Sequence, residues 1–256
     1  MLKKILPIVV VIAVVAGGGL FVLDRTIFAP TAVSSALPVA PTLAAPTPAP
    51  TQAATPAPAA TVAATQAPAA APGAAAGSAT RYRIDAAQSE AGYEVGETFF
   101  QDNRFATAIG RTSAIAGDVL VDFAQPANSQ LGTLVIDISQ LTSDEGRRDN
   151  YIRNNGLESA RYPEATFKPT KIEGLPASAQ PGDELTFKVT GELTVKETTK
   201  PVTFDVTLKT GENQLSGTAT TEILLSDFGA GPIRLAMLQT EDKAKLFINF
   251  VALPAP

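Results

Sequence analysis

The chain is predicted to fold as an all-β, antiparallel domain of about eight strands with one short helix, set behind an apolar N-terminal segment and a long tether. Three observations predict this. Past residue 80, apolar and polar residues alternate in short runs, the two-residue period of half-buried strands. Clusters of Gly, Pro, Asn and Asp separate the runs at hairpin spacing. Only residues 143–167 break the alternation, and they read as a helix followed by a turn back into a strand.

The N-terminus carries Lys3 and Lys4, then an uncharged apolar run of 19 residues, 5–23, then Asp24 and Arg25. That is close to the roughly 20 residues needed to cross a hydrocarbon core of about 30 Å. A secretory signal peptide competes, because two lysines before an apolar stretch also make its charged region. The length of the run favours an uncleaved anchor, although Pro7 and Gly17, Gly18 and Gly19 weaken a helix there. Lys3 and Lys4 place the short side in the cytoplasm. Residues 1–28 are therefore expected to be a transmembrane signal-anchor in the plasma membrane. The rest would be extracytoplasmic, or secreted if the segment is cleaved.

Residues 26–80 hold no charged side chain and are mostly Ala, Pro and Thr. Such a sequence cannot bury a fixed apolar face, so residues 29–80 are expected to be a disordered linker. Fully extended as polyproline it would reach about 150 Å, and as a coil about 40 Å.

Residues 81–256 remain as the folded domain, enough for one core. Of the 20 basic and 25 acidic residues, 17 and 24 fall in this part, a net charge of −7. Phosphate contacts need clustered Lys and Arg, so no nucleic-acid partner is expected. The chain has no cysteine, histidine or tryptophan. Without His or Cys it cannot build an ordinary zinc, copper, haem or iron–sulfur site, nor run Ser-His-Asp or Cys-His catalysis. No metal site and no cofactor are expected.

In order, residues 81–85 open the domain as a strand, and 90–96 form a second with Tyr93 and Val95 on one face. Phe99 and Phe100 lead into a polar bend at 101–104, followed by a strand over 105–111 led by Phe105. In 113–123, Val119, Val121 and Phe123 point opposite to Asp118, Leu120 and Asp122. After a turn at 125–129, the strand 130–139 sets Leu134, Ile136 and Ile138 against Thr133, Val135 and Asp137.

The helical stretch has Thr142 and Glu145 at capping-box spacing and Asn155-Gly156 as an expected left-handed stop. Residues 165–172 follow as a strand with Phe167 inward. Phe187 and Val189 alternate with threonines and a lysine over 185–195, and a turn is expected at 197–200. Phe204 and Val206 belong to the most regular amphipathic run, 202–208. Strands at 214–225 and 245–252 finish the domain. Periodicity alone leaves a sandwich and an up-and-down barrel both open.

Several short motifs occur in a fixed order: Tyr82, Ile84 and Asp85; Val121-Asp122-Phe123; Arg148-Asp149, then Tyr162-Pro163 and Thr166-Phe167; Gly191 with Leu193-Thr194-Val195; Thr199-Lys200-Pro201-Val202; and Asp227-Phe228-Gly229. Together they resemble the YceI-like family of exported lipid-binding proteins over nearly all of residues 81–252. The resemblance implies a lipocalin-like antiparallel barrel with an apolar cavity for a long polyisoprenoid chain. The expected partner is thus an isoprenoid or other long-chain lipid, with a membrane contacted through the N-terminal helix. Oligomeric state is left open, a dimer included. The chain departs from the family where histidines are usual: Gln88 precedes Ser89, and Asn150-Tyr151 follows Arg148-Asp149.

If a cavity exists, its walls are expected at Tyr93, Val95, Phe105, Val119, Val121, Phe123, Leu134, Ile136, Ile138, Phe167, Phe187, Val189, Phe204 and Val206. In a filled core the same residues are packing. Arg147, Arg148, Asp149 and Tyr151 are the expected rim. An arginine fork there could grip a phosphate or a quinone oxygen. The competing reading, which is preferred, pairs Arg148 and Asp149 with neighbouring turns and pins the helix to the barrel rim. No catalytic residue is assigned and the protein is not expected to be an enzyme. Two alternatives stay open: a ligand-free envelope module, and a glycan-acting enzyme using two of Asp144, Glu145, Asp149 and Glu158.

Overall fold

The computed structural model describes residues 36–43 and 79–255. The apolar run 5–23 and most of the linker lie outside the described residues, and within them no helix is long and apolar enough to cross a membrane.

The described chain is all-β with one short helix. Its strands are β1 (Thr80–Ile84), β2 (Glu90–Phe99), β3 (Arg104–Thr112), β4 (Ile115–Ala116), β5 (Asp118–Val121), β6 (Gln130–Leu131), β7 (Leu134–Asp137), β8 (Glu164–Glu173), β9 (Glu184–Val195), β10 (Thr198–Thr210), β11 (Leu215–Leu224) and β12 (Leu238–Pro254). The helix α1 (Gly146–Tyr151) lies between β7 and β8 and continues as a π-helical turn, Ile152–Gly156. All pairings are antiparallel and join the strands into one curled sheet in the order β4-β7-β8-β9-β10-β11-β12-β1-β5-β6, with β2 on β12 and β3 on β2.

Two of the expected long strands are broken. Residues 113–123 divide into β4 and β5 at Gly117, where a Cβ would stand 2.4 Å from the Leu134 side chain. Residues 130–139 divide into β6 and β7, and Ile138 ends up in a 3-10 turn, Ile138–Gln140. At the other end of the chain, β12 starts seven residues earlier than periodicity suggests. A register shift between Thr240 and Ala244 hides that part of its alternation.

The helix also differs from expectation. Glu145, rather than Thr142, is the N-cap, its side chain accepting from the Arg147 N–H. Leu157 N–H bonds to the Ile152 carbonyl, five residues back, so the chain is still helical at Gly156. The left-handed residue comes two positions later, at Glu158 (φ 50°). The hairpin between β9 and β10 turns at Lys196 and Glu197, with Val195 paired to Thr198, so Pro201 sits inside β10. It is tolerated because pairing with β11 begins only at Asp205, leaving that side of the strand free.

The interior has a filled end and a hollow end. At the filled end Tyr82, Val121, Leu208, Leu215 and Ala252 are buried together, with Val119, Phe123 and Phe187 packed against them. Val189 and Val206 lie in the larger core cluster above, with Leu193, Phe204 and Phe167. Phe167 meets Phe204 edge-to-face at 5.0 Å.

Part of the linker is attached to this body. Pro38 is buried, the Gln140 side-chain amide donates to the Ala36 carbonyl at 3.4 Å, and Arg81 donates to the Leu43 carbonyl. The Leu43 side chain lies against Gly132. Residues 36–43 therefore form a strap across the outside of the sheet.

Candidate functional site

The hollow end follows from which residues β3 turns inward. Ala106, Ala108 and Gly110 alternate with Phe105, Thr107, Ile109 and Arg111, and the small set faces β2 and the interior. Tyr93 is paired directly with Gly110, where a Cβ would sit 2.3 Å from its ring. The phenol lies flat over the glycine instead of crossing the interior. Ala106 lines the resulting space, whereas Ala108 packs with Val95 and Ala244 and Gly110 lies under the Tyr93 ring.

The space is a cavity of about 620 Å³, within the roughly 300–1,000 Å³ usual for small-molecule sites. Tyr93, Val95, Ile136, Ile138, Phe167 and Phe204 line it, together with Arg147, Arg148 and Tyr151 at the mouth. The other residues expected on its walls lie elsewhere. Phe105 points outward and is 59% exposed. Val119, Val121 and Phe123 belong to the filled end, because β5 pairs with β1 below the hollow. Leu134, Phe187, Val189 and Val206 are packing beneath it. Asp149 is buried on the helix and does not line the cavity.

Sequence reasoning missed much of the wall. Ala91, Leu193, Val195, Leu246 and Ile248 lie on strands whose period could have indicated them. Phe228, Ile233, Leu235 and Met237 come from a connection with no period to read. Phe228 is 2% exposed in a 3-10 turn, Leu225–Phe228, that ends at Gly229 in the left-handed conformation (φ 61°), which favours glycine.

Polar groups are concentrated at the helix end. Glu97, on the inward face of β2, is 3% exposed and is bound by the Arg148 fork through Nε–Oε1 at 3.1 Å and Nη2–Oε2 at 3.0 Å. The second Arg148 amino group donates to Asp144 at 2.5 Å and to the Ser143 hydroxyl at 3.2 Å. This bidentate pair ties α1 to β2. The Arg148 guanidinium also holds the exposed Asp144 carboxyl below the usual carboxylate range. Asp149 accepts from the Ser143 N–H at 2.9 and 3.0 Å and from its hydroxyl at 2.6 Å. Arg153 donates to the Leu141 carbonyl at 2.7 Å. At the β9–β10 turn Lys196 binds Glu158 at 2.5 Å and donates to the Gly156 and Gly229 carbonyls at 3.3 and 3.1 Å.

The four carboxylates considered for glycan chemistry are thus held by four different partners: Asp144 by Arg148, Glu145 by its own helix, Asp149 by Ser143, and Glu158 by Lys196. Among the described residues no group of three or more His, Cys, Asp or Glu is placed to hold a metal.

Asp149→Ala removes the acceptor for Ser143 and should destabilise the domain by about 1–3 kcal/mol, the cost of stranding a partly buried donor. Thermal melts against ligand-binding assays check this. A change in binding with no change in melting temperature would contradict the pinning role.

Tyr93 is the phenol set deeper in the cavity, Tyr151 standing at the mouth. Burial pushes it far above its ordinary range, and the Asp149 carboxylate adds to the push. An acid whose folded-state value is raised keeps its full stability below its unfolded value of about 10 and loses it as pH climbs further. There the unfolded chain ionises first. Tyr93→Phe should therefore flatten the fall in stability between about pH 9 and pH 11. Urea melts at both ends of that window, on both proteins, make the comparison. Equal slopes would assign the fall to another group.

Comparison with known proteins agrees with this architecture. Residues 82–252 match the family model described as the YceI-like domain, two-thirds of the chain. The chain belongs to the YceI-like family. All the motifs quoted above fall within the matched span. A UPF0312 protein of Vibrio parahaemolyticus is 32% identical to this YceI-like chain over 126 residues, covering 46% of the chain and 62% of the relative. Protein YceI of Escherichia coli O157:H7 is 32% identical over 93 residues, covering 36% and 44%. The chain thus spans about half the length of the curated relatives it matches.

Among solved structures, BcnA of Burkholderia cenocepacia superposes with a TM-score of 0.53 at 22% identity, over 66% of this chain and 98% of that one. A polyisoprenoid binding domain from Saccharophagus degradans superposes with a TM-score of 0.50 at 13% identity, over 68% and 98%. Both likenesses are of fold.

Proposed function

We propose that this YceI-like protein is a membrane-tethered, extracytoplasmic lipid-binding protein that takes a long apolar chain of the polyisoprenoid type into its cavity. One observation carries the reading: a hollow of about 620 Å³ walled by aliphatic and aromatic side chains, with its charged groups gathered at one end. Burying apolar ligand surface there stabilises the complex by about 25 cal/mol per Å² before association losses. The curled sheet closes into a barrel in this reading, because β4 on the far edge is the continuation of β3 and pairs with β7 through Ile115–Ile136. The bridge between Arg111 and Thr142 extends that seam toward the mouth.

The fold likeness to a polyisoprenoid binding domain is in keeping with such a ligand. Arg147, Arg148 and Tyr151 stand where a head group would rest, with Tyr93 deeper inside. Arg148 is already engaged by Glu97 and Asp144, so its role is to hold the mouth in shape while the ligand is retained by its tail. Storage, shielding and transfer are all compatible with such a site.

Native mass spectrometry of the purified protein tests the reading. A co-purifying long-chain lipid, or uptake of an added isoprenoid quinone, is the expected result. An empty protein that takes up neither overturns it.

A further inference from the structure

The turns around the cavity mouth are apolar on the outside as well. Of seven large hydrophobic side chains that stand exposed among the described residues, three stand at the β2–β3 hairpin end and the segment leading into β12: Phe100 (51%), Phe105 (59%) and Met237 (62%). Phe100 N–H bonds to the Met237 carbonyl at 2.9 Å, which fastens the β2–β3 hairpin to the segment leading into β12. Met237 also lines the cavity, as do its neighbours Leu235 and Phe99, so the outer patch and the inner wall are one continuous apolar surface. Single exposed hydrophobics need no explanation, whereas a cluster bordering an apolar opening marks an interaction site.

The charges beside it are mixed. Arg104 lies over the Phe99 ring at 4.1 Å and pairs with Asp102 at 3.5 Å, and Arg234 and Glu241 are exposed nearby. Apolar contact rather than charge therefore sets what the rim fits.

The strap indicates which way this rim faces. Its N-terminal end, Ala36, is held by Gln140, next to the cavity-lining Ile138 and Leu141, whereas Leu43 lies toward β1 and β6 at the filled end. With residues 5–23 in the bilayer, as the proposed tether requires, only residues 24–35 separate the membrane from the mouth half of the domain. Twelve residues span at most about 43 Å, against about 150 Å for the whole linker extended.

We propose that the rim carrying Phe100, Phe105 and Met237 is a docking surface for the hydrocarbon boundary of a lipid bilayer, and that the strap holds it within reach of the membrane. A water-insoluble ligand would then pass from lipid to cavity without crossing bulk water. This rests on the lipid-binding reading above for its purpose, though not for its geometry.

The native chain contains no tryptophan, so a single one reports its own surroundings. The full chain carrying Met237→Trp, and separately Leu253→Trp at the filled end, is reconstituted into phosphatidylcholine–phosphatidylglycerol vesicles whose acyl chains are brominated. Bromine quenching of the Met237→Trp reporter, with the Leu253→Trp reporter unquenched, is the expected result. Adding Phe100→Ser and Phe105→Ser should reduce the quenching at least twofold. Equal quenching at both sites, or none at either, overturns the proposal, and so does an unquenched reporter in a rim-to-rim dimer. Lipid content is read on the same samples by mass spectrometry. Bound isoprenoid without quenching removes the docking surface and leaves the cavity's function standing. Quenching without bound isoprenoid does the reverse.

Discussion

Replacing Glu97 with alanine is expected to destabilise the domain by about 3 kcal/mol, because it leaves a largely buried guanidinium without its bidentate partner. Arg148 retains only 17% of its side-chain exposure and Glu97 4%, so bulk water replaces the contact poorly. Asp144 remains as a second partner, which keeps the loss near the lower end of the roughly 3–5 kcal/mol seen when buried pairs are broken. At about 2–4 °C per kcal/mol for a domain of this size, the melting temperature should fall by about 10 °C. Circular dichroism melts measure it. The double variant Glu97→Leu with Arg148→Met, which removes both charges, should recover much of the loss. A single variant that melts within a degree or two of the parent would mean that the pair does not hold the helix.

Ala106→Trp is expected to have the opposite profile, abolishing lipid uptake while sparing stability. Ala106 faces the hollow from β3, so an indole there projects into space that is already empty and fills it without displacing packed neighbours. Loss of even part of the tail contact should weaken binding at least tenfold, each tenfold being about 1.4 kcal/mol. Ile109→Trp, on the outward face of the same strand, serves as the control. Isoprenoid uptake measured by native mass spectrometry separates the two. Unchanged uptake in Ala106→Trp would show that the ligand lies somewhere other than this cavity.

The fold was more legible in the sequence than the site was. The run 202–208 carries Thr and Asp on one face and Val, Phe and Leu on the other, so only one orientation buries the apolar set. Its direction could be read from period alone. In β3 the same rule misled: Phe105 is the bulkiest apolar residue, but the face that turns inward is Ala106, Ala108 and Gly110. A hollow is made by what is missing, and small residues give a weak periodic signal. Nor could Val206 and Phe204 be told apart, since packing against a neighbour and facing a cavity favour the same side chains. The strap was hidden for a different reason. Pro38 and Leu43 sit in a tract whose composition does not change, and the attachment of that tract depends on Gln140 and Arg81, a long way off in sequence. The pin at Arg148 could be anticipated from charge spacing, but its partner Glu97 lies 51 residues away on another strand.

The boundary between the filled end and the hollow end acts as an adjustable stop. It falls at the cross-strand pair of β9 and β10 in which Phe204 lines the cavity and Val189 does not, with Leu193 on the open side and Val206 on the closed side. Side-chain volume sets it within β9 and β10, beside a register shift between Pro169 and Lys171 of β8. Each two-residue step along a strand advances about 6.6 Å. Trimming or enlarging a single inward pair would therefore lengthen or shorten the bore by a fixed increment, leaving the hydrogen-bond ladder and the rim untouched. On the proposed lipid-binding reading, the length of chain admitted is thus set by one or two side chains well below the mouth.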